Sequence, residues 1–150
     1  MEPNKNRHIY KYSIKREKIL EVREDVLTSS PEQVYEFLMM IKLHEVEQEH
    51  LLAIVVDPKN KIKGYYSVCI GLLDMCVCHQ RELFRKAILQ NASGIIMAHN
   101  HTSNAVEPSA DDIRITSQMK DASKIIGIRL VDHIIVGENN YFSFMQKNIL

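Results

Sequence analysis

Six consecutive apolar residues, Leu51 to Val56, are the feature that most limits what this chain can fold into. The run is far shorter than the roughly 20 residues a bilayer crossing takes, and it fits a buried strand. Asp57-Pro58-Lys59-Asn60 turns it into a second strand beginning near Ile62, and Gly94 to Ala98 is a short central strand. Helical patterns surround these strands. Ser30-Pro31-Glu32-Gln33 offers a Ser N-cap, Pro at the first helical position and Gln closing a capping box, with Val34, Phe37, Leu38 and Ile41 at helical spacing behind. Arg81 to Asn91 is amphipathic, with Leu83, Phe84, Ala87 and Ile88 on one face. A longer helix from about Ala110 to Ile126 turns Ile115, Met119, Ala122 and Ile126 inward and ends at Gly127. Ile128 to Val136 and Tyr141 to Phe144 pair as a hairpin across residues 137–140, and Tyr10, Tyr12 and Ile14 alternate like a half-buried N-terminal strand. Strands mixed with two or three helices, without a strict βαβ repeat, predict an α/β (mixed α+β) sheet flanked by helices in a single domain.

A length of 150 residues allows one core, and 45% hydrophobic with 25% charged residues excludes collagen-like, low-complexity and largely disordered chains. Nineteen Lys/Arg and nineteen Asp/Glu cancel, so no global field draws the chain to DNA or to an anionic membrane. The charge is uneven along the chain, however: residues 1–23 carry seven Lys/Arg against three Asp/Glu, and residues 24–57 carry eight acids and one base. The division this suggests is a basic arm and strand at 1–29, followed by the domain at 30–150. The arm is either a solvated segment or a weak nucleic-acid contact through phosphates. The start MEPNKNRHIYKYS has no apolar stretch after its charges, so no secretory signal is expected. Three clustered Cys (Cys69, Cys76 and Cys78), an odd number, fit reduced thiols in the cytoplasm.

The chemistry is concentrated between Ala98 and Asp112. His99 and His101 stand two apart at a strand end, so their side chains leave the same face. Two such imidazoles make a pair of zinc ligands that needs a third, and Asp112 offers a carboxylate from the first turn of the next helix. Three protein ligands leave the fourth tetrahedral position to water, the arrangement of a catalytic zinc. Ser109-Ala110-Asp111-Asp112 is equally a capping box, Ser at the N-cap and a carboxylate three residues on. The conjunction carries the metal reading: His-x-His, seven residues, then Ser-x-x-Asp, all at a strand-to-helix crossing.

That conjunction resembles the JAMM/MPN metalloprotease motif. With Arg81-Glu82-Leu83-Phe84-Arg85-Lys86-Ala87, Ala98-His99-Asn100-His101 and Asp132-His133-Ile134-Ile135-Val136-Gly137, the chain from roughly Ser30 to Phe144 resembles the JAB-type domain of the bacterial RadC family. The resemblance implies a cytidine-deaminase-like JAB sheet and a Zn2+ site of His99, His101 and Asp112. It also implies a Ser beside the reacting water, here Ser109, and an upstream Glu as general acid/base, here Glu49 in Glu49-His50-Leu51-Leu52. Glu45, Glu47 and Glu49 share a strand face if the strand begins early; nearness to the apolar run favours Glu49, with Glu47 next. Where the family commonly has His-Pro-Ser-Gly, this chain has His101-Thr102-Ser103-Asn104, a change expected to free the backbone beside the metal. The helix-hairpin-helix region that often precedes the family's domain is not among the thirty or so residues before the match.

Other patterns carry less. His44-Glu45-Val46-Glu47-Gln48 opens like a zincin motif, but its fifth residue is Gln. Cys76-x-Cys78 with His79 fits a core or edge strand better than a metal site, and neither a zinc-deaminase Pro-Cys-x-x-Cys nor a phosphate-binding Gly loop is present. Asp132 and His133 either orient a ligand from behind or form an ordinary buried pair. The expected activity is a zinc-dependent hydrolase cutting a peptide or isopeptide amide bond, with at most weak nucleic-acid binding by the arm and no membrane partner. The alternative is a noncatalytic or DNA-associated RadC-like module linked to DNA repair.

Overall fold

Strand β1 (His50–Val56) is buried along nearly its whole length because both of its edges and both of its faces are covered. A computed structural model describes residues 11, 13, 15–19, 29–71 and 78–150. Tyr10, Tyr12 and Ile14, expected to form an N-terminal strand, lie outside the described residues, as do most of the basic arm and Cys76. Around β1 stand helix α1 (Pro31–Met40), β2 (Ile62–Ile70), α2 (Gln80–Leu89), β3 (Gly94–Asn100), α3 (Ala110–Ile126), β4 (Arg129–Val136) and β5 (Tyr141–Ser143). The sheet order is β2-β1-β3-β4-β5. The β3/β4 pair is parallel, joined through α3, and the other three pairs are antiparallel.

The two faces of the sheet have different covers. Leu52, Ile54, Val56, Ile96 and Ala98 pack with Val34, Phe37 and Leu38 of α1. Leu51, Ala53, Val55, Ile95 and Met97 pack with Leu83 and Phe84 of α2 and Ile115 and Met119 of α3. Covering on both faces is why the central strands are continuously apolar instead of alternating. Gly94 opens β3 where a side chain has no room, since a Cβ there would lie 2.9 Å from Val131 Cγ2 and 3.1 Å from Val56 Cγ2. The result is a mixed α+β domain with a five-stranded sheet between helices, as the alternation of patterns implied.

Two inward assignments are corrected. Ile88 and Ile126 are exposed, at 53% and 37%. Each sits in the last turn of its helix. Beyond the turn the chain folds back, and Ala92 and Ile128 take the places against the core that a longer helix would have filled. Helix α2 also starts one residue earlier than expected, with His79 as its N-cap accepting from Arg81 N.

The closing segment is tied down by one buried carboxylate. Asp132 Oδ1 accepts from His133 N at 2.7 Å and Met145 N at 2.9 Å, and Oδ2 accepts from Ser143 Oγ at 2.6 Å. Burial pushes the Asp132 pKa up, against the pull of these hydrogen bonds. Asp132→Ala would strand three donors, so urea unfolding should show a loss of about 3 kcal/mol or more. Asp132→Asn should lose clearly less, because its Oδ1 still accepts both backbone N–H groups. Equal losses would show that the pocket tolerates the orphaned donors.

Candidate metal centre

The odd-numbered residues of β3 face α3, so His99 leaves the sheet toward the start of that helix, and His101 follows one step beyond the strand end. The loop 101–109 then returns the chain so that α3 begins over the two imidazoles. Ser109 is the N-cap of α3 and Asp112 its third residue, and they form a complete reciprocal capping box. Asp112 Oδ2 accepts from Ser109 N and from Ser109 Oγ, both at 2.7 Å, while Ser109 Oγ accepts from Asp112 N at 3.1 Å. Its Oδ1 is buried with no hydrogen-bond donor, 3.2 Å from His99 Nε2. The capping box and the ligand cluster are therefore one structure: one oxygen caps the helix and the other is turned to the histidines.

His99 Nε2 lies 3.0 Å from His101 Nε2, and His101 Nε2 lies 3.3 Å from Asp112 Oδ2. His101 Nδ1–H donates to Ala105 O at 2.7 Å, which turns its other nitrogen to the cluster. A tetrahedral zinc with bonds near 2.0–2.1 Å needs ligand atoms about 3.3 Å apart. The donor set and the orphaned Oδ1 fit such an ion, as do the 3.0 and 3.2 Å separations of His99 Nε2 from His101 Nε2 and Asp112 Oδ1, and the three ligand atoms lie within 4.8 Å of one another. Among the described residues, no other group of His, Cys, Asp or Glu meets this condition, and His44 and His79 are not members. Burial pulls His99 toward neutrality, whereas Asp112 raises the pKa of His101. Burial alone would push the Asp112 carboxyl up, but the hydrogen bonds of His101 and Ser109 to Oδ2 and the closeness of His99 hold it well below the usual carboxylate range.

The three acids upstream are separated by the fold. β1 begins at His50, so Glu45 and Glu47 do not share its face; Glu45 lies in a short 3-10 turn (Leu43–Glu45) and pairs with Lys42 at 3.2 Å. Glu45 and Glu47 are exposed and Glu49 is half-buried. Leu51 pairs with His99, so continuing the register sets Glu49 opposite His101 on the same face. Its charge favours the protonated forms of both histidines.

Three contributors had no motif to announce them. Asn100, between the two histidines, points to the opposite face and is buried. Its Oδ1 accepts from His50 N at 2.9 Å and its Nδ2 donates to Gln48 O at 3.1 Å, bracketing Glu49, whose own carbonyl accepts from Gly71 N. A buried Asn on the face of β3 opposite His99 was the available signal. Asn104 corrects the expectation of a freed backbone: it takes the left-handed conformation, φ 61°, that a Gly would supply there, and Asn tolerates it. Its Oδ1 accepts from Glu138 N at 2.7 Å, stitching the loop to the β4–β5 turn. Thr116, one turn after Asp112, touches His133, which in turn touches His99. So of the Asp132–His133 pair only His133 reaches a candidate ligand.

Among the described residues no helix is long and apolar enough to cross a membrane. Residues 28–149 match the RadC-like JAB domain family. The chain is similar to UPF0758 proteins of Clostridium perfringens (40% identical over 136 residues, 91% of this chain and 59% of that protein) and Clostridium beijerinckii (38% over 129 residues, 86% and 56%). A third relative, a UPF0758 protein of Pelobacter propionicus, is 37% identical over 122 residues, 81% of this chain and 53% of that protein. The chain thus spans a little over half the length of these curated relatives. By sequence over most of its length, and with a five-stranded mixed sheet flanked by helices, the chain belongs to the RadC-like JAB domain family.

Proposed function

We propose that this domain is a zinc-dependent hydrolase that cleaves a peptide or isopeptide amide bond, with His99, His101 and Asp112 holding the metal and Glu49 as general acid/base. The observation that carries this reading is the convergence of two imidazole nitrogens and an undonated, ionised carboxylate oxygen in one buried spot. A structural zinc is closed by four protein ligands, and here the cluster among the described residues has three members. A noncatalytic DNA-associated module would have no use for a buried carboxylate oxygen left without a donor.

Zinc, when bound, supplies Lewis acidity that makes water a better nucleophile and polarises a carbonyl. The remaining work falls to the protein. Glu49, half-buried beside the histidines, takes the proton from the attacking water and returns it to the leaving amine. Asn100, bonded to Gln48 O and His50 N, and Gly71, bonded to Glu49 O, hold the backbone at Glu49 in place beside the strand that carries the histidines. Ser109 directs its hydroxyl proton at Asp112 Oδ2, so its contribution is to hold Asp112; donating to an oxyanion would require that bond to break.

Purified protein should take up close to one zinc per chain, and His99→Ala should abolish uptake. Affinity should weaken as the pH falls, because His101, whose pKa Asp112 raises, holds a proton the ion must displace. Chelation should leave the circular dichroism of the fold intact, since the core does not include the ligands. Unfolding on chelation would make the site structural instead.

Glu49→Gln should retain zinc and lose about two to four orders of magnitude in rate on a cleavable member of a library of peptide and isopeptide amides. Glu47→Gln, at an exposed position, should leave the rate unchanged. The reverse pattern would move the base by two residues, and full activity in both variants would remove the mechanism.

A further inference from the structure

A chain of three hydrogen bonds runs behind His99 and has a defined direction. Thr116 Oγ1 donates to Asp112 O at 2.6 Å, because a carbonyl can only accept. A hydroxyl has one proton, so the 2.6 Å contact between Thr116 Oγ1 and His133 Nδ1 must be a donation from the imidazole. His133 is 1% exposed and its ring stacks on Phe144 at 4.7 Å between centroids, so its plane is fixed, and a neutral imidazole carries one proton for its two nitrogens. Its single proton is then spent on Nδ1, and Nε2 has only a lone pair to present. His99 Nδ1, 2.8 Å away, must carry the proton between them. A neutral imidazole protonated on Nδ1 has a bare Nε2, and that of His99 is aimed at His101 Nε2 and Asp112 Oδ1.

We infer that Thr116 and His133 are positioning residues that set the tautomer of His99 and keep its Nε2 open to a cation. The inference rests on the proposed metal site and extends it. Its starting point is the backbone carbonyl of Asp112, so the residue that supplies the carboxylate also orients one of the imidazoles, through the first turn of α3. The arrangement replaces the carboxylate or backbone carbonyl that more often stands behind a ligating histidine. A second imidazole has no inherent polarity and takes its direction from the hydroxyl at its far side. That is why a Thr, and not an apolar residue of the same shape, is needed at a position buried against the sheet.

The test compares the wild-type chain with Thr116→Val and Thr116→Ser, using nitrogen-15 NMR of the imidazoles without metal and zinc affinity by chelator competition. Wild type and Thr116→Ser should show His99 protonated on Nδ1 and bind zinc alike. Thr116→Val removes the acceptor of His133 Nδ1–H, so the His99 proton should move toward Nε2 and affinity should fall roughly 10–100-fold. A Val variant with the wild-type tautomer and affinity overturns the inference, as does a Ser variant that fails to restore them. Should the Val variant not fold, the wild-type spectrum decides alone: a His99 proton on Nε2 contradicts the relay. Wild-type protein that binds no zinc would overturn the metal reading, while the tautomer measurements still decide the relay.

Discussion

The two oxygens of Asp112 face different tasks, and the rest of the site depends on that division. Oδ2 accepts two hydrogen bonds from Ser109 and so fixes where α3 begins. A carboxylate committed in this way cannot rotate, and its other oxygen is therefore held, buried and undonated, against His99. An ionised group in that position is tolerated only with positive charge or donors close by. His101 and Ser109 provide them in the protein alone, and a divalent cation would do so more fully. Helix start and ligand geometry are thus one constraint, which makes the start of α3 as much a part of the centre as the imidazoles.

The sheet supplies the remaining precision. β3 is central, flanked by β1 and β4, so His99 enters from the middle strand of the sheet. Each neighbour contributes from its own register: continued one step before β1, the β1/β3 pairing sets Glu49 opposite His101, and β4 brings His133 behind His99. Asn100 works on the opposite face of the same strand end, tying the residues on both sides of Glu49 to the strand that carries the ligands. Side chains on alternate faces of one strand therefore hold the candidate base and the candidate ligands in a common frame.

Much of this was legible in the sequence because it follows from local rules. The apolar run at Leu51, the Ser30 and Ser109 caps and the Gly127 stop each determine an element from a few neighbouring residues. The cluster was legible because His-x-His and Ser-x-x-Asp span a single strand–loop–helix unit. What could not be read depends on partners far along the chain. Nearness to the apolar run favoured Glu49 over Glu47, but the separation of the two by the fold follows only from β1 starting at His50. The tasks of Asn100 and Thr116 require contacts across 50 and 17 residues, with no spacing rule to reveal them. The loop after His101 misled for a different reason: absence of Gly suggested a loss, whereas Asn104 adopts the same backbone conformation and adds a hydrogen bond to Glu138.

A crystal structure of zinc-soaked protein, with anomalous data at the zinc absorption edge, tests the central claim most directly. The account predicts one peak within about 2.0–2.2 Å of His99 Nε2, His101 Nε2 and Asp112 Oδ1, with solvent completing the tetrahedron and Glu49 beside that solvent. A fourth protein ligand closing the site, or zinc bound elsewhere with Asp112 Oδ1 still uncoordinated, would contradict it.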